Sequence, residues 1–212
     1  IVLSATYRQS SAVDDRSLLQ RDPHNIWLAR GPKHRLSAEQ LRDAALAASG
    51  LLNRRIGGPS VMPYQPAGLW RESGTGKSYE QSTGDGLYRR SLYTFWKRTS
   101  PPPSMLIFDA TSRESCTPRR ELTTTPLQAL VFLNDPQFVE SSRVLAEQLV
   151  TTHAKSSDVE QMEYFNEDPE NARQLLQVGE REPKSSIDPV DLAATTVVVQ
   201  TILAYDETIM LR

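Results

Sequence analysis

Three helix starts constrain most of the architecture that this chain can adopt. In each, a side chain that can accept hydrogen bonds from the first helical turn stands directly before a proline, which fits the first helical position. The three pairs are Thr125-Pro126, Asp135-Pro136 and Asp188-Pro189. They predict helices over residues 126–133, 136–151 and 189–204, with a sharp corner between the first two at Asn134 and Asp135.

A fourth helix is predicted nearer the start of the chain. Ser37 and Gln40 have the spacing of a capping box, in which each side chain bonds the backbone of the other residue. Apolar residues then recur at helical spacing as far as Leu52. The sequence therefore predicts a helix over residues 38–54, ended by the Gly-Gly-Pro run at 57–59.

The segments between these helices carry weaker signals. Residues 59–66 contain three prolines, and residues 71–86 are rich in Gly, Ser and Thr, so both predict long loops. Residues 87–98 are dense in β-favouring side chains and fit either a short strand or a buried helix. The prolines at 101–103 end that element and predict an extended segment.

Taken together, these signals predict a mainly α fold. We expect an irregular helical domain with long ordered loops and, if residues 87–98 pair, one short strand or hairpin. The β-branched residues within 192–204 would also suit a buried strand, but the helix start at Asp188 and the length of the run favour a helix. With 212 residues, the chain is expected to form a single domain over residues 1–212.

Composition excludes several classes of function. A formal net charge of −2 and a pI near 6.0 give no basis for a nucleic-acid partner. The longest apolar run, residues 192–204, has about two-thirds of the length that a membrane span needs, so no membrane span is predicted. The single cysteine cannot form an internal disulfide. The three histidines, His24, His34 and His153, are scattered, so no metal site is predicted, and without a Cys-x-x-Cys-His run the chain is expected to hold no cofactor of its own.

One glycine-rich segment has a partial phosphate-loop pattern. Residues 74–78 read Gly-Thr-Gly-Lys-Ser. The full pattern needs a glycine five residues before Gly76, where this chain has Arg71, and a preceding apolar strand. The segment therefore gives little reason to predict a nucleotide site.

Residues 89–134 are the best place to look for a functional site. Arg89, Arg90, Arg119 and Arg120 could bind carboxylate, sulfate or phosphate groups, or could hold internal aspartates in place, and structural ion pairing is the favoured interpretation. The aspartates that they could hold include Asp43 and Asp109.

The lone thiol and the aromatic residues near this block also allow two interpretations. Cys116 is flanked by Arg113, Arg119 and Arg120, which would activate it if they pointed at it, although a buried, inert cysteine is favoured. The aromatic side chains could line a sugar-binding surface or fill the core, and core filling is favoured. They are Tyr64, Trp70, Tyr93, Phe95 and Trp96.

Several runs of this sequence resemble one family. They are Ser-Ala-Thr-Tyr-Arg-Gln-Ser at 4–10, Arg-Leu-Ser-Ala-Glu-Gln-Leu-Arg-Asp at 35–43 with Ser-Gly at 49–50, Gly-Gly-Pro-Ser-Val at 57–61, Pro-Tyr-Gln-Pro at 63–66, Ala-Ala at 193–194 and Asp-Glu at 206–207. The family is a domain of unknown function abundant in planctomycete and verrucomicrobial secreted proteins, where it usually follows a cytochrome-c-like domain. The resemblance covers nearly the whole chain.

The resemblance implies an exported protein, periplasmic or on the cell surface, of which this chain is the C-terminal module. It implies a cytochrome-c-like domain or subunit as partner, with haem in that neighbouring domain, and it implies no reaction or catalytic residues. Our first hypothesis is therefore a noncatalytic accessory module. Its candidate site is the point where eight residues are expected to converge: Arg42, Asp43, Arg89, Arg90, Asp109, Cys116, Arg119 and Arg120.

The alternative hypothesis is a carbohydrate-active enzyme domain with a polysaccharide substrate. Asp43 and Asp109 would supply its two carboxylates, which must face one cleft at a separation of about 5 to 10 Å. A carboxylate buried in an arginine pair would not serve this purpose.

Overall fold

The protein is mainly helical, as predicted. The structure, a computed structural model, describes residues 3–13, 16–74, 76, 78–152 and 159–211. Its α-helices are α1 Arg16–Arg21, α2 Ala38–Ala48, α3 Leu69–Glu72, α4 Pro103–Ile107, α5 Pro126–Asn134, α6 Pro136–Thr152, α7 Val159–Glu167, α8 Pro169–Leu176, α9 Pro189–Ala204 and α10 Asp206–Ile209. Its two strands are β1 His34–Arg35 and β2 Met210–Leu211, and 3-10 turns lie at Gly84–Gly86 and Ser91–Tyr93.

The three helix starts that combine a cap with a proline are confirmed. Helices α5, α6 and α9 begin at the predicted prolines. The carboxylate of Asp188 accepts hydrogen bonds from the amides of Val190 and Asp191, both at 3.1 Å. The corner between α5 and α6 is also confirmed, because Asp135 alone has extended backbone between two helical residues. The strand alternative for residues 192–204 is wrong.

Helix α2 begins where predicted and ends six residues early. The capping box is present, with the amide of Ser37 donating to Oε1 of Gln40 at 2.9 Å. The helix stops at Ala48 because Gly50 adopts a left-handed conformation with φ of 73° directly after the C-cap Ser49. The predicted end at 54 was wrong because an earlier glycine takes the stop position.

Residues 87–103 differ from both predicted alternatives. They form a 3-10 turn at Ser91–Tyr93 and two isolated bridges, Asn53 with Arg89 and Val61 with Thr94. The predicted extended segment at 101–103 is also wrong in part, since Pro103 begins α4. Proline fits this place because the first turn of a helix lacks internal acceptors for its amides.

The regular strands pair the segment directly before α2 with the segment directly after α10. Strand β1 lies antiparallel to β2, with His34 opposite Leu211 and Arg35 opposite Met210. Neither strand is longer than two residues. A strand this short cannot be predicted from alternating polar and apolar residues.

Two hydrophobic clusters form the core. The first joins α2, α4, α5 and the start of α6 around the rings of Phe108, Phe132 and Phe138, whose centroids lie 4.7 to 5.8 Å apart. The second joins α6, α7, α8 and α9, where Ala146 and Ala193 are completely buried and allow close helix packing. Leu203 packs against both clusters.

Two further findings apply to the described residues only. No helix among them is long and apolar enough to cross a membrane. No group of three or more His, Cys, Asp or Glu side chains among them is placed to hold a metal ion. His153, and Thr75 and Lys77 of the glycine-rich segment, lie outside the described residues.

Candidate functional site

Arg42 projects from α2 into the interior and binds the chain there. Its Nε donates to Oε1 of Gln137 at 2.6 Å, and its two terminal nitrogens donate to the carbonyls of Arg89 and Leu87, each at 2.7 Å. Burial lowers the pKa of Arg42 to about 10, so its guanidinium is charged at neutral pH. Arg42 therefore ties α2 to α6 and to the segment before the 3-10 turn at Ser91–Tyr93.

Arg89 has a similar structural role. Its guanidinium donates to the carbonyls of Pro59 at 2.9 Å, Arg55 at 3.2 Å, and Gly57. It also stacks over the ring of Tyr93, with 3.7 Å between the guanidinium carbon and the ring centroid. These contacts hold the loop at residues 55–59 and leave Arg89 buried at 6% exposure.

Asp43 lies at the surface beside these arginines. Its Oδ1 accepts from the amide and the hydroxyl of Ser91, both at 2.7 Å. Its remaining oxygen lies 3.9 Å from Nε of Arg90, and Nη1 of Arg42 lies 3.7 Å from Oδ1. Of the four arginines predicted as possible partners of Asp43, Arg90 pairs with it, and the second pair comes from Arg42.

Asp109 is held by a different arginine from those predicted. It pairs with Arg35 and accepts from the amide of Thr123 at 2.8 Å and its hydroxyl at 3.0 Å. Its φ of 61° places it in the left-handed region, which aspartate tolerates better than most residues. Pairing of Asp109 with the arginines at 89, 90, 119 or 120 was therefore wrong. An Asp109 carboxylate in an arginine pair gives no support to the carbohydrate-active alternative.

Cys116 and Arg119 take no part in the contacts described above for Arg42, Arg89, Asp43 and Asp109. Cys116 is exposed, so the favoured interpretation of a buried cysteine was wrong. Arg113 stacks over Trp96 at 4.6 Å and Arg120 pairs with Glu39, so two of the three arginines near the thiol in sequence are engaged elsewhere. Arg119 lines a separate surface cavity formed with residues 11–13, 19, 23–25, 28 and 30–33.

The aromatic residues contribute mainly to packing. Trp70 is buried and packs against Tyr79 at 5.1 Å and Phe95 at 5.7 Å between ring centroids. The hydroxyl of Tyr64 donates to Glu140 at 3.0 Å. The prediction that Trp70 fills the core is therefore confirmed, whereas Phe95 remains 42% exposed.

Three of the predicted site residues line one surface groove of about 730 Å³, which we call the α2 groove. They are Asp43, Arg90 and Arg120. The remaining residues of the α2 groove are Leu36, Ser37, Glu39, Gln40, Ala44 and Leu92. Arg42 and Arg89 do not line it, but Arg42 binds the carbonyls of Leu87 and Arg89 and so fixes the segment directly before Arg90 and Leu92.

The α2 groove combines exposed charge with an exposed apolar side chain. The side chains of Arg90 and Arg120 are 49% and 36% exposed, and Leu92 is 75% exposed. Nη1 of Arg120 donates to both oxygens of Glu39, at 3.0 and 2.8 Å. Both acidic side chains are engaged with protein donors, so the α2 groove is suited to binding rather than to proton transfer.

The pairing of Glu39 with Arg120 gives a pH-dependent prediction. Burial raises the pKa of Glu39, but the hydrogen bond and charge of Arg120 outweigh it and hold the pKa below its ordinary value of 4.5. The stability from this pair is therefore fully present above pH 4.5 and is lost as pH falls through the folded-state pKa. We expect Glu39→Gln to be less stable than the wild type at pH 7 and equally stable well below pH 4.5, as measured by urea unfolding across this range. A difference that stays constant with pH would contradict the pairing.

A buried ionic network on α6 was missed by the sequence reasoning. Glu140, Arg143 and Glu147 are at most 1% exposed. Nη1 of Arg143 donates to Oε1 of Glu147 at 2.7 Å, and Nη2 lies 4.0 Å from Oε1 of Glu140. Their spacing of three and four residues was a usable signal, because it places all three on one helix face.

The network also binds three distant segments of the chain. The hydroxyls of Tyr64 and Tyr88 both donate to Glu140, at 3.0 and 2.9 Å. The amide of Arg181 donates to Glu140 at 2.8 Å. Burial, with the nearby Glu140 carboxylate, raises the pKa of Tyr64 and Tyr88 well above 10, so both remain hydrogen-bond donors.

The fold and the site together define a mainly helical domain whose loops are fastened by buried arginines and whose candidate site is a surface groove. The family model described as PSD1, protein of unknown function (DUF1553), matches residues 1–185, and the chain belongs to this family. The resemblance to a domain of unknown function is thereby confirmed. No curated protein and no solved structure matches the chain.

Proposed function

We propose that this domain is a noncatalytic accessory module that binds another folded domain through the α2 groove. The observation that carries the proposal is that two of the arginines have structural roles and two are exposed to solvent. Arg42 and Arg89 are buried and donate to backbone carbonyls, whereas Arg90 and Arg120 remain exposed beside Leu92. Arginine is enriched at protein interfaces, and a backbone that is already fixed beside the exposed side chains lowers the entropy lost on binding.

The partner that we propose is a cytochrome-c-like domain within the same exported protein. This step comes from the resemblance, in which the domain usually follows such a domain in secreted proteins. Haem would then reside in the partner, and the complex would act in the periplasm or at the cell surface. The mixed charge of the α2 groove suits a polar rim around an apolar contact at Leu92.

Binding of the cytochrome-c-like domain provides the test. A purified cytochrome-c-like domain from a protein of this family is titrated with the chain by isothermal calorimetry. We expect Arg90→Glu and Leu92→Asp each to weaken the Kd by about ten-fold or more, as interface anchors do. Matched controls are Arg173→Glu and Ile56→Asp, since Arg173 is an exposed arginine paired with a glutamate and Ile56 is 83% exposed.

Two results would overturn the proposal. The first is equal binding by groove and control variants. The second is turnover of a polysaccharide or ester by the isolated domain, which would favour an enzyme. The carbohydrate-active alternative specifically requires that activity to be lost in both Asp43→Asn and Asp109→Asn.

A further inference from the structure

A loop near the start of the chain presents three consecutive apolar side chains to solvent. Ile26, Trp27 and Leu28 are 76%, 63% and 57% exposed. Single exposed apolar residues are ordinary, but a run of three at one loop tip indicates an interaction site. We call residues 22–30 the Trp27 loop.

The Trp27 loop is held in shape by its own polar groups. Asp22 is buried at 3% exposure, and its two oxygens accept from the amides of Ile26 and Trp27, both at 2.8 Å. Arg30 donates to the carbonyls of Asp22 at 2.7 Å and Pro23 at 2.9 Å. The tip is therefore presented in a fixed conformation, which reduces the entropy lost when it binds.

Leu28 occupies a backbone conformation that suits leucine poorly. Its φ is 51°, in the left-handed region where glycine and asparagine are the usual residues. Its side chain is more than half exposed, so core packing does not explain why a leucine stands here. Strained residues cluster at functional sites, and this one adds apolar surface to the tip.

The surroundings of the Trp27 loop are basic although the whole chain is slightly acidic. Residues 16–33 contain four arginine or lysine residues and one aspartate, a formal charge of +3, against −2 for all 212 residues. Arg35, which follows, is buried and paired with Asp109 and does not add to this surface charge. The one aspartate is Asp22, whose carboxylate is already bonded inside the loop. A surface cavity of about 780 Å³ beside the loop is lined by His24, Arg30, Lys33 and Arg119, and none of the residues described along it is acidic.

We propose that the Trp27 loop anchors the domain to the surface of an anionic lipid bilayer. Trp27, Ile26 and Leu28 would enter the interfacial layer, where tryptophan is favoured, and the neighbouring basic side chains would contact lipid phosphates. A lipid surface fits better than a protein surface because the tip is a projecting apolar group with a cationic surround. Such a group needs no complementary cavity in a fluid interface.

Vesicle flotation tests the proposal directly. The chain is mixed with vesicles of phosphatidylcholine alone or of equal parts phosphatidylcholine and phosphatidylglycerol. We expect binding to the anionic vesicles only, weakened by added salt, and reduced about ten-fold by Trp27→Ala or Leu28→Asn. Ile56→Ala is the matched control, since Ile56 is exposed and lies outside the basic segment, and should bind like the wild type.

Two measurements separate a loss of membrane contact from a loss of folding. Leu28→Asn should unfold at the same urea concentration as the wild type or a higher one, because asparagine suits the positive φ. Trp27→Phe should retain binding to anionic vesicles while removing most of the fluorescence quenching by lipids with brominated acyl chains.

Several outcomes would overturn the proposal. The first is no binding to anionic vesicles, and the second is equal binding to neutral and anionic vesicles. The third is binding to anionic vesicles that Trp27→Ala and Leu28→Asn leave unchanged. Tip variants that weaken only the cytochrome-c-like complex would instead make the loop a protein-docking surface. The inference does not rest on the α2 groove, and Arg90→Glu should bind vesicles normally, so either proposal can fail without the other.

Discussion

Replacing Arg143 by methionine is expected to lower the free energy of unfolding by about 3 to 5 kcal/mol, because breaking a buried ion pair leaves uncompensated charge in the interior. Arg143 is completely buried, and both glutamates that face it are at most 1% exposed. Without the guanidinium, Glu140 and Glu147 would remain in the interior with like charge. Urea unfolding at pH 7 measures the effect as a lower midpoint with an unchanged dependence on urea concentration.

A matched control separates burial from the mere loss of an arginine. Arg173 on α8 also pairs with a glutamate, Glu170 at 3.3 Å, but its side chain is 64% exposed. Arg173→Met should therefore change the stability by less than about 1 kcal/mol. Equal midpoints for Arg143→Met and Arg173→Met would show that the α6 network does not stabilise the fold.

A triple replacement tests the reason for the effect. Glu140→Gln, Arg143→Met and Glu147→Gln together remove all three charges, and such replacements of a whole buried network are often tolerated. We therefore expect the triple variant to be more stable than Arg143→Met alone. The gain should be incomplete because Tyr64 and Tyr88 would donate to a neutral amide in place of a carboxylate.

The position of the network explains why neighbouring residues are constrained. Gly179 has a φ of 99°, and a Cβ there would lie 2.5 Å from Cδ of Glu140. The loop after α8 therefore approaches α6 through a glycine and is then fastened by the amide of Arg181. Glu140 acts as the common acceptor for segments at residues 64, 88 and 181, which are far apart in sequence.

The helices were predictable because their signals are local. In each signal the capping residue stands directly before the proline, and the structure places the starts of α5, α6 and α9 at these pairs. The same signal at Asp168-Pro169 was overlooked, and it begins α8, where Asp168 accepts from the amide of Glu170 at 3.2 Å. The error at the end of α2 has a local cause too, since Gly50 precedes the glycines to which the stop was assigned.

The candidate site was only partly predictable because its contacts are long-range. Arg89 could be recognised as an arginine with either a binding or a structural role, and Arg42 as a candidate site residue. Most of their acceptors are carbonyls, which every residue carries. Asp109 was assigned to nearby arginines, whereas its partner Arg35 lies 74 residues away in sequence. Side-chain type shows what a residue can bind, and the topology decides which partner it meets.

Arg42→Lys is expected to lower the free energy of unfolding by about 2 to 4 kcal/mol even though the charge is retained, because lysine cannot reproduce a planar fork of donors. The three nitrogens of Arg42 donate in different directions, to Gln137, Arg89 and Leu87. A single ammonium group would leave at least one buried acceptor unsatisfied. Arg90→Lys is the matched control, since Arg90 has only a 3.9 Å pair with Asp43 and should change little.

The same substitution should also weaken partner binding, although Arg42 is buried and does not line the α2 groove. Arg42 holds the carbonyls of Leu87 and Arg89, and the segment that follows carries Arg90 and Leu92 into the groove. We therefore expect Arg42→Lys to weaken the Kd for the cytochrome-c-like domain at a temperature where the variant is fully folded. A variant that is less stable but binds with unchanged affinity would show that Arg42 acts only in stability. The groove would then keep its shape through the hydrogen bonds between Asp43 and Ser91.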